Sequence, residues 1–370
     1  MQTPFAIPRP ELIRQLPANQ PLGSIQDVGY TVINYNTAAQ TLRCIASLNQ
    51  CTPAPAWICV LDNASADADL ATLVQGLEAA EFSQIQLFRS QINLGFAAGS
   101  NFLIDQLLDI ATCHYIGLLN NDAVAKPELV HLLCAALSAT DTNSPIGMSG
   151  GRMHKLNNPD EVDTLGITLY ASLMPADRKD TQDPYLGPTG GCCLMTRDFV
   201  QDVKSTTGYC FDERFFCYCE DTDLALRANL LGYRPAYVDQ LVALHEGQAS
   251  SRAQNNNFIA YHGLRNTIWM HWKFLPTFLL IKNSPWLLLA HLFTFARQIF
   301  SGRSSTLFEL YRDAFRQRSN MLRERERFRL VTRVVPEVLA KIVSKRFYRK
   351  GYTGVILLEL RNCLQKFGKS

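Results

Sequence analysis

The 370-residue sequence has no GxGxxG turn after its first apolar run and no GxxxxGKS or GxxxxGKT loop anywhere. Both a dinucleotide fingerprint and a P-loop are thereby excluded, so any phosphate must be held by other means. Paired CxxC spacing is also missing. The eleven cysteines are odd in number and scattered through apolar runs such as Trp57-Ile58-Cys59-Val60-Leu61. That excludes a zinc ribbon or a secreted disulfide framework and fits a reducing cytoplasm. Cys210, Cys217 and Cys219 alternate with Phe215, Phe216 and Tyr218, so they read as small buried hydrophobes rather than metal ligands. The segment from Met1 to Pro21 lacks a positively charged start followed by an apolar run, so no secretory signal is expected. There is no internal repeat and no low-complexity tract.

A membrane span is not expected either. The apolar and aromatic stretch from Trp269 to Phe300 is interrupted by Lys282, Asn283 and Pro285. Its longest uncharged piece, Ser284 to Ala296, falls short of the ~20 residues a bilayer core requires. With the basic run Arg312, Arg316, Arg318, Arg323, Arg325, Arg327 and Arg329 behind it, the stretch reads as an interfacial or re-entrant amphipathic segment, the alternative being helices packed wholly inside the protein.

What the sequence does contain is 47% hydrophobic residues, enough for one large core or two modest ones. Its net charge of +3 conceals an asymmetry: 14 basic and 27 acidic residues up to residue 250, then 22 basic and six acidic. An acidic module of −13 joined to a basic one of +16 implies an anionic partner, a membrane surface or a nucleic acid.

From Val28 to about Val238, β-branched runs alternate with helical patterns. Strands are expected at Gly29–Ile33, Trp57–Leu61, Ile85–Phe88, Tyr115–Leu119 and Pro235–Val238. Helices are expected through Leu42, Ile45 and Leu48, then at Leu70–Leu77, Ala97–Leu108 and Glu128–Ala139. This rhythm predicts an α/β fold with a mostly parallel sheet covered on both faces. Ligands in such sheets sit beyond the carboxyl ends of the strands. That selects Asn34 to Asn36, Asp62 to Ser65, Asn93 to Asn101 and Asn120 to Asp122. Leu156 to Pro188 carries no readable signal, and after residue 250 the pattern becomes helical.

Asn120-Asn121-Asp122 ends a strongly apolar strand. By itself it reads as a capped turn before Pro127, or as the single carboxylate with which Mg²⁺ or Mn²⁺ is commonly bound beside substrate phosphates. In the block from Phe211 to Leu224, three acids gather where an aromatic run turns into a helix. Asp223 pairs with Arg227 at i,i+4 and reads as a helix-surface pair worth about 0.5 kcal/mol. Glu220 and Asp221 follow the apolar run, where burial and a neighbouring like charge can hold one carboxylate as a base. His245 by itself reads as a packed core histidine, although an imidazole also suits Mn²⁺ as a companion ligand to a carboxylate.

These residues resemble glycosyltransferase family 2, the inverting enzymes of the GT-A fold, and especially its bacterial rhamnosyltransferase-like branch. The resemblance spans about residues 28 to 270. It rests on Val32-Ile33-Asn34-Tyr35-Asn36, Asp62-Asn63-Ala64-Ser65, Asn93 to Asn101, Asn120-Asn121-Asp122, Gly190-Gly191-Cys192-Cys193-Leu194, the Phe211 to Leu224 block and Leu244-His245, all in the family's order.

The resemblance implies a Rossmann-like nucleotide-diphospho-sugar transferase domain over residues 24–250, followed by a helical, basic, membrane-associating extension over 251–370. It implies a nucleotide pocket containing Asn34, Asp62 (on the base), Asn93, Gly95, Asn101 and Asn121, and a loop at Gly190 and Gly191 beside donor sugar and acceptor. Asp122 stands at the family's metal-binding DXD carboxylate and His245 at its distal ligand, while Asn120 departs from DXD. Glu220 and Asp221 match the paired acids, with Asp221 as the base.

The implied reaction is transfer of a sugar, possibly rhamnose, from a dTDP- or UDP-linked donor to a hydroxyl of a glycan or lipid-linked acceptor in cell-surface polysaccharide synthesis. It would use Mn²⁺ or Mg²⁺ on the inner face of the cell membrane, with an anionic membrane surface and no nucleic acid as partner. Two other readings are a sugar nucleotidyltransferase, which would usually carry a glycine-rich basic loop where Asn34-Tyr35-Asn36-Thr37 stands, and a non-catalytic membrane-bound scaffold.

Overall fold

A computed structural model of the chain describes residues 8–15, 25–79, 85–139, 144–247, 256–300 and 302–350. The proposed limits at residue 24 and at 250/251, and everything after residue 350, lie outside them.

Strands β1 (Glu11–Gln15), β2 (Ile25–Asn34), β3 (Pro55–Asn63), β4 (Ile85–Ser90) and β5 (Tyr115–Leu119) alternate with helices α1 (Ala38–Asn49), α2 (Asp67–Ala79) and α3 (Gly95–Leu108). β3 reads Pro-Ala-Trp-Ile-Cys-Val-Leu-Asp-Asn and is buried at every position but Trp57. Such an unbroken apolar run is what a strand covered on both faces requires. It pairs in parallel with β2 and β4, and β2 pairs in parallel with β5. The expected series is therefore present, with boundaries extended by a few residues.

The sheet then grows in a way the sequence does not announce. β6 (Ala123–Ala125), α4 (Leu129–Leu137), β7 (Ile146–Lys155), β8 (Asn158–Thr164), β9 (Ile167–Leu169), β10 (Pro175–Asp177), β11 (Cys192–Thr196) and α5 (Arg197–Thr207) follow. After them come α6 (Glu220–Leu230) and β12 (Arg234–His245). The order across the sheet is β1-β4-β3-β2-β5-β11-β7-β12-β6, with β8 paired to β7 and β9–β10 forming a separate ribbon. β11 runs antiparallel between β5 and β7, while β12 runs parallel to β7. One hydrophobic cluster fills each face of the sheet. Cysteines belong to both; burial pushes the Cys192 and Cys210 thiols up to about 12, which keeps them inert packing groups.

Among the described residues four α-helices follow: α7 (Asn256–Phe274), α8 (Thr277–Phe300), α9 (Ser304–Arg316) and α10 (Arg318–Arg329). Here one expectation is corrected. Lys282, Asn283 and Pro285 do not interrupt the apolar stretch, because α8 runs through all three. Pro285 cannot donate to the Ile281 carbonyl four residues back, and the Ser284 hydroxyl donates to that carbonyl instead at 2.8 Å. Among the described residues, α8 is the one helix long and apolar enough to cross a membrane by length and composition. One face of it is nonetheless held by protein. Leu279 and Asn283 are buried, and Trp286 and Phe293 pack on the Phe347 ring.

A second correction concerns Asp223. Far from lying on a helix surface, it is fully buried, accepts from Arg227 Nε at 2.8 Å and pairs with the buried Lys273. Lys273 also holds Asp212, at 2.7 Å. Burial opposes ionisation of Asp212, yet Lys273 and the Arg214 guanidinium keep its carboxyl well below the usual range. α6, α7 and the Phe211 segment are thus joined by one buried ionic cluster.

Candidate active site

The carboxyl ends of β2, β3 and β5, the Gly190 loop, the start of α6 and the end of β12 surround a cleft of about 750 Å³. Of the residues singled out above, Asn93, Gly95, Asn121, Asp122, Gly190, Gly191, Glu220, Asp221 and His245 line it. Asn34, Asp62 and Asn101 stand behind its walls. Asn34 Nδ2 donates to Asp62 Oδ1 at 3.0 Å, Ser65 Oγ at 3.1 Å and Asp69 Oδ2 at 2.8 Å, bracing the turns that leave β2 and β3. Asn101 ties α3 to the next segment: its Nδ2 donates to the Phe211 carbonyl, and its Oδ1 accepts from the Phe211 amide, both at 2.8 Å.

Gly95 is required by geometry. Its φ is +71°, and a Cβ there would meet the Phe216 carbonyl at 2.5 Å. That contact presses the start of α3 against the loop leading into α6, where the Ala97 amide donates to the same carbonyl at 3.0 Å. The loop is strained. Phe216, Tyr218 and Cys219 all hold positive φ, a conformation costing about 1–3 kcal/mol at each non-glycine residue. Asn266 of α7 holds it in place. Its Nδ2 donates to the carbonyls of Phe215 and Cys217 at 2.9 Å and of Tyr218 at 2.7 Å, and its Oδ1 accepts from the Arg265 guanidinium.

This clamped loop delivers the paired acids. Asp221 Oδ2 accepts from the Gly190 amide at 3.0 Å and Oδ1 from the Thr222 amide at 2.7 Å. Burial raises the Asp221 pKa above the ordinary carboxylate value and outweighs those amide bonds. Glu220 is buried, its Oε2 has no hydrogen-bond partner, and burial together with the charge of Asp221 pushes its pKa well up. Both acids are thus pushed upward, Glu220 with the charge of Asp221 added to its burial and Asp221 with two amide bonds opposing its own, an arrangement that sets the two carboxyls apart.

At the other wall, His245 Nε2 lies 3.0 Å from Asp122 Oδ1 and Nδ1 lies 2.7 Å from Asp163 Oδ2. Burial disfavours the charged imidazole, but the two carboxylates overcome it and hold the pKa up to about 10. Sequence reasoning missed Asp163. It sits on β8, whose residues Asn158-Pro159-Asp160-Glu161-Val162-Asp163-Thr164 show neither an apolar face nor alternation. Asn63 was quoted only as part of a motif, yet it lines the cleft and fixes its rim, donating to Asn93 Oδ1 at 3.1 Å and accepting from the Leu94 amide at 2.8 Å. Among the described residues no group of three or more His, Cys, Asp or Glu side chains is arranged to hold a metal ion. Asp122 and His245 offer one carboxylate and one imidazole side by side. That set could hold a divalent ion only if substrate oxygens completed its shell.

Comparison with known proteins bears on this cleft. Residues 31–204 match the model of glycosyl transferase family 2. The N-acetylglucosaminyl-diphospho-decaprenol L-rhamnosyltransferase of Mycobacterium tuberculosis is 24% identical over 259 residues, covering 62% of this chain and 80% of that protein. Among solved structures, a mannosyltransferase of Pyrobaculum calidifontis in complex with GDP-Man and Mn²⁺ aligns with a TM-score of 0.50 and 14% identity. It covers 85% of this chain and 89% of that one. GalNAc-T7 with UDP, GalNAc and Mn²⁺ aligns with a TM-score of 0.51 and 13% identity, covering 76% of this chain and 55% of that one.

Proposed function

Since this chain is a glycosyltransferase with a family 2 domain, we propose that it transfers a sugar, possibly rhamnose, with inversion. The donor is a dTDP- or UDP-linked sugar and the acceptor a hydroxyl of a lipid-linked glycan. The observation that carries this reading is that a buried acid pair and a carboxylate–imidazole pair line one cleft. Asp221, oriented by the Gly190 and Thr222 amides, accepts the proton of the acceptor hydroxyl as its oxygen bonds to the anomeric carbon. The bond from that carbon to the diphosphate breaks on the opposite face, and its electron pair leaves with the phosphate oxygen. Asp122 and His245 would hold a divalent ion, Mn²⁺ or Mg²⁺, which when bound supplies positive charge for the departing diphosphate. Gly190, Gly191 and the rim from Asn93 to Gly95 let backbone approach the donor closely. Asp163 accepts from His245 Nδ1–H, so Nε2, which pairs with Asp122 Oδ1 at 3.0 Å, would face the ion once its own proton is released.

Chelation is expected to abolish turnover. Asp122→Ala and His245→Ala should each weaken nucleoside diphosphate binding in Mn²⁺, and Asp163→Asn should lower Mn²⁺ affinity by about 10–100-fold. Titration calorimetry of nucleoside diphosphate, with and without Mn²⁺, checks this, and wild-type affinity in all three variants would overturn the site.

The membrane partner has support of another kind. Ile281, Leu288, Leu292, Phe295 and Ile299 form one exposed stripe of α8, Ile281 at 67%, and Phe308 and Phe315 are exposed on α9. Basic residues follow on α9 and α10. We propose that this surface rests on an anionic membrane on the cytoplasmic side, with α8 lying in the interface because its other face belongs to the protein. Each basic residue near such a surface contributes on the order of 1 kcal/mol, screened by salt. Co-sedimentation with anionic vesicles, lost in high salt and absent with neutral vesicles, is the expected result; no difference between the two lipids would refute it.

A further inference from the structure

The cleft does not end at the paired acids. It continues between α8 and the segment at Phe347–Arg349, where Phe293, Arg297, Gln298, Phe347, Tyr348 and Arg349 line it. At 100° per residue, Phe293, Arg297 and Gln298 point away from the exposed stripe of Leu288, Leu292 and Ile299. One helix therefore presents cationic and polar groups to the cleft and an apolar face to the outside. The cleft lining is divided in charge: Asp122, Asp163, Glu220 and Asp221 belong to the inner end, at the paired acids, Arg297 and Arg349 to the outer end, at α8, and Asp177 lies within the electrostatic reach of both Asp221 and Arg349. Two buried polar atoms there have no partner. Gln298 is 4% exposed and its Oε1 accepts nothing, and the Ser172 hydroxyl, also on the cleft wall, is equally unmatched. A buried polar atom left this way costs about 1–3 kcal/mol, so these positions favour a ligand that supplies the missing bonds.

We infer that the outer end binds the phosphate-linked head of an amphiphilic acceptor, an isoprenoid diphosphate bearing the sugar that is extended. Arg297 and Arg349 bind its phosphate oxygens, Gln298 Oε1 accepts from a hydroxyl of that sugar, and the hydrocarbon leaves over the exposed stripe of α8. The acids at the inner end repel the phosphates, so the acceptor enters sugar-first and its hydroxyl reaches Asp221. This inference rests on the lipid-linked acceptor proposed above and assigns the residues that would recognise it.

The test is calorimetry on the full chain in neutral detergent with EDTA, so that no divalent ion can draw a diphosphate to Asp122 and His245. The probes are farnesyl diphosphate, inorganic pyrophosphate and farnesol. Farnesyl diphosphate is expected to bind more tightly than either of the others. Its affinity should fall at least about tenfold in Arg297→Gln and in Arg349→Gln, with Arg297→Lys between, in line with the loss of a bidentate guanidinium contact. Nucleoside diphosphate affinity in Mn²⁺, measured on the same preparations, reports on their folding. Farnesyl diphosphate binding unchanged in both glutamine variants would overturn the subsite. Equal binding of pyrophosphate would overturn the lipid assignment, and equal binding of farnesol would overturn the phosphate assignment. A wild-type chain that binds farnesyl diphosphate but no nucleoside diphosphate would sink the donor reading and leave this one standing.

Discussion

Replacing Asp221 by asparagine is expected to lower sugar transfer by roughly 10²–10⁴ while leaving donor binding intact. Asparagine keeps the shape of the side chain, and its carbonyl can still accept one backbone amide bond, from Gly190 or from Thr222, but it cannot take the acceptor's proton. The pH profile offers a second reading of the same group. A base works only when deprotonated, so the rate should fall as pH drops through its pKa. With Asp221 raised by burial, that acid limb of kcat/KM should lie above the ordinary carboxylate range. Sugar transfer by the asparagine variant at near wild-type rate, with the acid limb unmoved, would remove Asp221 from the chemistry.

The second large effect is expected two residues along the helix and is one of stability. Asp223 lies fully buried between Arg227 and Lys273, and neither cation has solvent to turn to. Asp223→Asn leaves the buried Arg227 without a carboxylate and Lys273 with Asp212 alone, and breaking a buried ion pair in this way costs about 3–5 kcal/mol. A surface pair would cost about a tenth of that. The midpoint of urea unfolding should fall accordingly, whereas a midpoint within error of wild type would mean the cluster contributes little. The two aspartates, two residues apart, thus separate cleanly: loss of Asp221 is read in turnover, loss of Asp223 in unfolding.

The parts of the molecule legible in its sequence are those governed by repetition. β2 to β5 and the helices between them announce themselves through alternating apolar runs, and the cleft position follows from where those runs end in Asn, Asp and Gly. The paired acids are legible because a polar triplet after Phe-Phe-Cys-Tyr-Cys is conspicuous. Asp163 and Asp177 are not, because β8 lacks an apolar face and β10 is only three residues long. Their place in the cleft comes from sheet and ribbon pairing across the chain, which leaves no local pattern. Asp223 was misjudged for a related reason. Its i,i+4 partner is visible in the sequence, but Lys273, fifty residues on, becomes a neighbour only when α7 packs against α6. Pro285 misled in the opposite sense, since the adjacent Ser284 satisfies the carbonyl that a proline abandons.

The grip of Asn266 on the loop before Glu220 bears on how such chains can be cut and recombined. The matched family 2 domain closes at residue 204, before that loop begins, and the amide that holds the loop lies more than sixty residues beyond it. A chimera exchanging residues 31–204 with a relative would import one donor's half of the cleft. It would leave the acid pair, its clamp and the outer arginines with the host, so inherited acceptor choice should travel with the C-terminal portion. A fragment ended before Asn256 would keep most of the sheet yet release three left-handed residues from the bonds that restrain them. Asn266 thereby makes the helices after residue 256 an indivisible part of the machinery, although they lie beyond the matched family 2 domain.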